Sequence, residues 1–342
     1  MNAVSPSRPA NMVAGPDILK IAGLTTEFRG RHSLIRANDD IHLSIPRGST
    51  LGIVGESGSG KSVLCRSILR LLPPSANAHF DGTVEYEGRD LLRLDEAEMR
   101  RLRGTELRMI FQNPMTSLNP VWPIGDQITE GLRIFGGMSS RQARERGIEM
   151  LARVGIPSPE MRFDEYPFQW SGGMLQRAVI AMAMAGSPKL LFADEPTTAL
   201  DVTIQDQILA LLLELQERSG MTLVLVSHDL AVVAETCDRI AVMYAGRIVE
   251  TAPTKVIFDA PRHPYTVGLL NSIPHLSAGA NRLIPIPGQP PDLAKLGPGC
   301  PFAPRCGFAS ADCSTSAIQL AGVGPDHLSA CLHPERIAGA AA

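Results

Sequence analysis

The segment that most restricts this chain is Gly55-Glu56-Ser57-Gly58-Ser59-Gly60-Lys61-Ser62. It lies between the apolar run Leu51-Gly52-Ile53-Val54 and a helical pattern from Lys61 to Leu72, where Pro73-Pro74 is expected to stop the helix. Its glycines let the backbone curl so that several N–H groups point at one anion. The following helix offers its positive N-terminus to the same anion. A lysine at 61 supplies a point charge for β- and γ-phosphates, and the Ser62 hydroxyl is placed to ligate Mg²⁺. The motif therefore predicts strand–loop–helix geometry and a nucleoside triphosphate bound at residues 55–62.

Further along, Leu190-Leu191-Phe192-Ala193 ends in Asp194-Glu195-Pro196. An apolar strand that delivers Asp194 to the Mg²⁺ shell suits a triphosphatase, and Glu195 can take a proton from an attacking water. Residues 18–54 read as short strands. Leu107–Phe111 and Leu223–Val226 read as buried strands. Ile204, Ile208, Leu211, Leu212 and Leu215 recur at helical spacing before Gly220. Residues 124–182 are mostly helical in pattern. Strands alternating with helices imply an α/β core with a parallel sheet.

From about residue 251 prolines become frequent, and the segment 251–342 is expected to form a small, loop-rich C-terminal domain. With apolar residues at 44% and aromatics at 5%, the core should be aliphatic. A formal net charge of -3 gives no reason to expect nucleic acid as a partner. No apolar run is long enough to cross a bilayer, and residues 1–16 read as a disordered polar tail without a signal-peptide core. The expectation is a cytosolic protein that meets any membrane through a partner.

Ser171-Gly172-Gly173-Met174, together with the two segments above, resembles the signature of ABC ATPases. The resemblance implies a P-loop NTPase core over residues 17–250, a helical subdomain inserted at 113–182, and ATP with Mg²⁺ as ligands. It also implies a two-chain site, in which Ser171, Gly172 and Gly173 of one subunit cover the γ-phosphate held by the other. Gln112 then matches the Q-loop glutamine that contacts Mg²⁺ and the lytic water, joining Ser62 and Asp194 around the metal. Ala199-Leu200-Asp201 matches the D-loop, His228 the switch histidine, and Phe28 an aromatic stacked on adenine. Three positions depart from the usual signature: Trp170 replaces leucine, where altered helix packing at the dimer interface is expected, and Met174-Leu175 replaces a more polar pair.

Phe111–Pro120 and Asp194–Gln205 resemble oligopeptide and dipeptide importers, as does His263-Pro264-Tyr265-Thr266. The likeness runs from about Ile18 to Pro334 and points to the D-type ATPase subunit. It implies a heterodimer with a paralogous F-type ATPase, two transmembrane permease subunits, and indirectly a periplasmic or lipoprotein solute-binding protein. The site of action would be the cytoplasmic face of the inner membrane. An importer for nickel or glutathione is the alternative within transport. A soluble ABC ATPase acting on nucleic acid is the alternative outside it.

Four of the six cysteines, Cys300, Cys306, Cys313 and Cys331, fall near the C-terminus. A reducing compartment disfavours disulfides. Four nearby thiolates can hold zinc or an iron–sulfur cluster, and spacing alone does not choose. The resemblance to peptide importers implies a [4Fe-4S] cluster. Cys65 and Cys237 read as packing residues.

Overall fold

The computed structural model describes residues 16–30, 34–198, 201–272 and 285–338. All of the expected tail except Pro16 lies outside these residues, as do Ala199 and Leu200. The chain opens with β1 (Asp17–Arg29), β2 (Leu34–Pro46) and β3 (Thr50–Val54), then α1 (Lys61–Ile68), β4 (Ala78–Tyr86) and β5 (Arg89–Asp90). Helix α2 (Glu96–Thr105) leads into β6 (Leu107–Ile110). Strands β1 and β2 are 13 residues each, not the short strands expected, and pair antiparallel in a sheet of order β2-β1-β4-β5. Helix α1 also departs from expectation. It stops at Ile68 rather than Leu72, because Arg70 turns into the left-handed region (φ 52°) ahead of the prolines.

Five helices separate β6 from β7 (Leu190–Asp194): α3 (Pro114–Ser117), α4 (Ile124–Ile134), α5 (Ser140–Arg153), α6 (Pro159–Arg162) and α7 (Gly172–Met184). Their pattern is amphipathic. In α4 the residues Ile124, Ile128 and Leu132 recur at helical spacing and are buried. A capping box between Ser139 and Gln142 starts α5. Helices α8 (Val202–Ser219) and α9 (Leu230–Thr236) flank β8 (Thr222–Ser227), and β9 (Arg239–Tyr244) follows.

Strands β6, β7, β8, β3 and β9 lie parallel in that order. Each is apolar because both faces are covered. Alternate residues sort into two cores. Leu191, Ala193, Leu223 and Leu225 face the helical segment; Leu190, Phe192, Val224 and Val226 face the antiparallel sheet. The parallel order brings the ends of β3, β7 and β8 side by side, which is where the loop at 55–62, Asp194 and His228 all begin.

The C-terminal segment is built onto this sheet. Strand β10 (Arg247–Pro253) pairs antiparallel with β9, and β11 (Ala321–Gly324) and β12 (His327–Ser329) extend the sheet beyond it. Helices α10 (Thr254–Asp259), α11 (Pro264–Asn271) and α12 (Glu335–Ala338) complete the segment. Its prolines sit where proline fits, as with Pro264 in the first turn of α11. Glu250, fully buried on β10, holds the pieces together. Its Oε1 accepts from the Arg262 amide at 2.6 Å and meets His327 Nε2 at 2.7 Å, and its Oε2 accepts from the His263 amide at 3.0 Å. Burial pushes His263 down to about 3, so its neutral Nδ1 accepts the Tyr265 amide at 3.1 Å.

Replacing Glu250 with Ala strands three donors at once, those of His263 and His327 buried and that of Arg262 part-buried. The expected cost is about 3 kcal/mol or more. Limited proteolysis should then cut within residues 285–338 well before the rest of the chain, and unchanged protease resistance would contradict this role.

Candidate nucleotide site

The loop after β3 can curl as it does only with glycine at its ends. A Cβ on Gly55 (φ 157°) would lie 2.1 Å from the Met243 carbonyl oxygen. One on Gly60 (φ 101°), the residue before α1, would lie 2.4 Å from that of Ala37. Lys61 is buried beneath the loop, and its Nζ donates to the Gly55 and Glu56 carbonyls at 2.8 and 3.0 Å. Burial pushes this ammonium down from the usual lysine range, against the pull of Glu195, Asp194 and Glu56. An anion above the loop would relieve that penalty. Ser57 and Gly58 form the exposed crest of the loop, while Ser59 turns in and leaves its buried Oγ without a partner.

Ser62 Oγ donates to Asp194 Oδ1 at 2.8 Å, joining the start of α1 to the end of β7. Asp194 is buried, burial pushes its carboxyl up, and its Oδ2 has no hydrogen-bond partner. A hydroxyl and a carboxylate with one orphaned oxygen form a hard-oxygen donor set that fits Mg²⁺.

Glu195 follows in the left-handed region (φ 46°), an uncommon conformation for a residue with a side chain. Three groups gather on its Oε2. Gln112 Nε2 donates at 3.0 Å, Thr198 Oγ1 donates at 2.8 Å, and His228 Nδ1 lies at 3.5 Å. Each comes from a different strand end. Gln112 stands between β6 and the Asn113 cap of α3. His228 stands between β8 and Asp229, whose side chain caps α9. The structure thus brings together Lys61, Ser62, Gln112, Asp194, Glu195 and His228.

It does not bring Ser171 to that cluster through any hydrogen bond among the described residues. Ser171 caps α7, accepting from the Met174 amide at 3.4 Å, and Gly172 beside it is exposed. Gly173 packs toward Ile204 of α8. Trp170 is buried in the helical core, and its indole donates to Glu165 Oε2 at 2.7 Å. Leu175 is buried as well, so these two departures from the usual signature serve packing. Asp201 precedes α8, exposed and without a side-chain cap bond. Phe28 is half-buried on β1, paired with Ile35 and Ala78.

The four C-terminal cysteines line one small apolar cavity with Phe302, Ile318 and Leu332. All four are free thiols. Burial, with mutual repulsion, pushes Cys300 and Cys306 up and Cys331 to about 11. Amide N–H groups aim at their sulfurs: Phe308 to Cys306 and His333 to Cys331, both at 3.4 Å. Within the described residues, no three of these sulfurs lie within 4.8 Å of one another. Asp312, Cys313 and His333 do converge within that limit at the cavity's edge.

Four residues at the loop escaped the sequence reading. Asn38 donates to the Gly60 carbonyl at 3.2 Å, Thr198 grips Glu195, the Tyr265 hydroxyl accepts from the Glu56 amide at 2.7 Å, and Arg305 pairs with Glu56. Thr198 had a signal, three residues after Glu195. The others arrive from β2, α11 and the turn before Cys306, where only the fold reveals them.

Comparison with known proteins agrees with this geometry. Residues 38–198 match the family described as ABC transporter, and residues 249–313 match the oligopeptide/dipeptide transporter C-terminal region. The chain is 51% identical to a peptide import ATP-binding protein of Brucella melitensis, over 94% of this chain and 98% of that one. A Brucella ovis relative of the same description is also 51% identical, with the same coverage. Among solved structures, a dimeric ATP-binding cassette in a post-hydrolysis state with ADP and Pi superposes with a TM-score of 0.61. It is 29% identical and covers 69% of this chain and 98% of its own. A component of an ABC transporter complex from Clostridium perfringens superposes at 0.60, 28% identical, covering 71% and 91%. An identity of this size over nearly the whole length, on a cassette fold with the loop, the acidic pair and the signature in place, makes the chain a member of the ABC transporter ATPase family, in the branch that carries the oligopeptide/dipeptide transporter C-terminal region.

Proposed function

We propose that this chain hydrolyses ATP to drive peptide import, with Glu195 as the general base. The carrying observation is the convergence of Gln112, Thr198 and His228 on one Glu195 oxygen, beside the Ser62–Asp194 pair. Lys61 and the amides of residues 55–62 would hold the phosphates, with Phe28 offered to the adenine. Ser62, Asp194 and Gln112 would hold Mg²⁺, which supplies charge neutralisation when bound. Glu195 accepts the proton of the attacking water, and Gln112 and His228 orient that water and the γ-phosphate. The peptide substrate is read from the Brucella relatives and the C-terminal match, and nickel or glutathione import would leave this site unchanged.

A complete site needs a second chain, because among the described residues Ser171 makes no hydrogen bond to its own loop's cluster, and Ser171, Gly172 and Asp201 are exposed. We assign that place to a paralogous F-type ATPase, on the cytoplasmic face of two permeases that receive peptide from a solute-binding protein. No described helix is long and apolar enough to cross a membrane. Just past Gln112, Met115, Val121 and Trp122 are exposed by 62%, 72% and 47%, apolar surface suited to a permease contact. The four cysteines would carry a [4Fe-4S] cluster. They would hold it as thiolates, and the Phe308 and His333 amides would stabilise the charge on Cys306 and Cys331.

Glu195→Gln keeps the shape but cannot accept a proton. Turnover should fall about 100-fold or more while ATP binding persists, and near-normal hydrolysis with the partner site disabled would refute the assignment. Trp122→Asp should abolish co-purification with permeases from detergent extracts while MgATP still binds. Recovery of transport-competent complexes holding only copies of this ATPase would overturn the F-type pairing. Anaerobically purified protein should contain iron and acid-labile sulfide, both lost in Cys331→Ser; stoichiometric zinc without iron would replace the cluster by a zinc site.

A further inference from the structure

Glu56 is an odd residue for the rim of a phosphate site. Its backbone carbonyl accepts from Lys61 Nζ at 3.0 Å, and its carboxylate acts electrostatically on that same ammonium. An unpaired anion there would oppose ATP. The chain supplies a counter-ion from 249 residues away. Arg305 NH1 donates to Glu56 Oε2 at 2.6 Å and NH2 to Oε1 at 3.0 Å, a two-pronged pairing that fixes geometry as well as charge.

Arg305 is itself built into place. Its side chain is only 5% exposed. Its Nε donates to Pro287 O at 2.8 Å, NH1 also to the Tyr244 hydroxyl at 3.2 Å, and NH2 also to Ile286 O at 3.5 Å. All five N–H bonds of the guanidinium therefore have acceptors. The guanidinium carbon lies 5.8 Å from the centres of both the Tyr244 and Phe302 rings. Tyr265 packs against both rings and takes the Glu56 amide on its hydroxyl. Glu56 is thus held at its amide by Tyr265 and at its carboxylate by Arg305. Arg305 closes the short turn between Cys300 and Cys306, in which the Arg305 amide donates to Phe302 O at 2.9 Å.

We propose that Arg305 is a positioning residue of the nucleotide site: it neutralises Glu56 and holds the first turn of the phosphate loop open, making the C-terminal segment part of the ATP-binding apparatus. This deepens the ATPase reading and is independent of what the cysteines bind. Arg305 acts through Glu56, the residue it pairs with, rather than on the nucleotide itself. Its effect is on affinity rather than on the chemical step, because Glu195 and its partners lie on other strand ends.

The test uses the full chain in its assembled transporter, with MgATP affinity and turnover at saturating ATP measured separately. Arg305→Met keeps the stem between the two rings and removes the charge. MgATP affinity should fall about tenfold, with saturated turnover within about threefold of the parent. Arg305→Lys, which keeps charge but loses the fork, should fall between. Adding Glu56→Gln to Arg305→Met should restore most of the affinity, since it removes the charge left unpaired; a packing role alone would show no such rescue. Affinity within twofold of the parent in Arg305→Met overturns the proposal, as does a double variant no better than the single. Should Arg305→Met fail to fold, unchanged affinity in Arg305→Lys overturns it equally.

Discussion

Burying one ammonium beneath a loop of its own carbonyls is the condition around which the nucleotide site is organised. Lys61 gives up water and receives two carbonyl oxygens, 2.8 and 3.0 Å away. That exchange is incomplete, and burial pushes the group down from its usual range. Asp194 faces the mirror-image problem, a carboxylate in a dry setting with one oxygen unmatched. A site with an under-compensated cation and an under-compensated anion a short way apart favours a ligand that brings both signs. A magnesium-bound polyphosphate does so. The electrostatic imbalance of the site and its affinity for that ligand have one origin.

The same condition explains why so much of the chain is devoted to holding the loop from behind. Gly55 and Gly60 approach backbone carbonyls at distances no side chain could share. Asn38 of β2 ties down Gly60, and the Gly246 amide donates to Ser59 O at 2.9 Å. The C-terminal segment adds Tyr265 and Arg305. Its own attachment depends on Glu250, whose buried carboxylate collects bonds from β12 and from the turn before α11. A proline-rich strap with little core of its own is fixed by aromatic packing among Tyr244, Tyr265 and Phe302 and by this one clamp.

Local residues announced the parts of the site whose chemistry is local. The loop at 55–62 needs glycine, lysine and serine in one order, and Asp194-Glu195 needs an apolar strand before it. Both are visible as strings. Gln112 and His228 became legible through their order relative to those strings. The antiparallel sheet was not legible, because β1 and β2 bend through several register shifts that blur alternation. The end of α1 was misread because prolines are a loud signal and the left-handed Arg70 a silent one. Arg305 was invisible for a different reason. Its partner is chosen by tertiary contact, and an arginine beside a cysteine carries no local mark of it. The strands of the C-terminal segment continue the main sheet, which proline frequency does not announce, since it reports loops and not what the loops pack on.

Asp194 and Glu195 show how two adjacent carboxylates come to do different work. Asp194 is the last residue of β7, so its side chain follows the strand into the interior and meets Ser62. Had the strand continued, Glu195 would have pointed to the opposite face, into apolar surroundings unable to hold its charge. Instead the backbone turns at Glu195 into the left-handed region, with its amide still bonded to Val226 O at 3.0 Å. The turn leaves Glu195 at the shared edge of β6, β7 and β8, within reach of Gln112, Thr198 and His228. The conformational cost of one positive φ, of order 1–3 kcal/mol, gives one buried carboxylate bonded to Ser62 and one part-buried carboxylate gathered by Gln112, Thr198 and His228. A straight strand end could not have produced that division from an Asp-Glu pair.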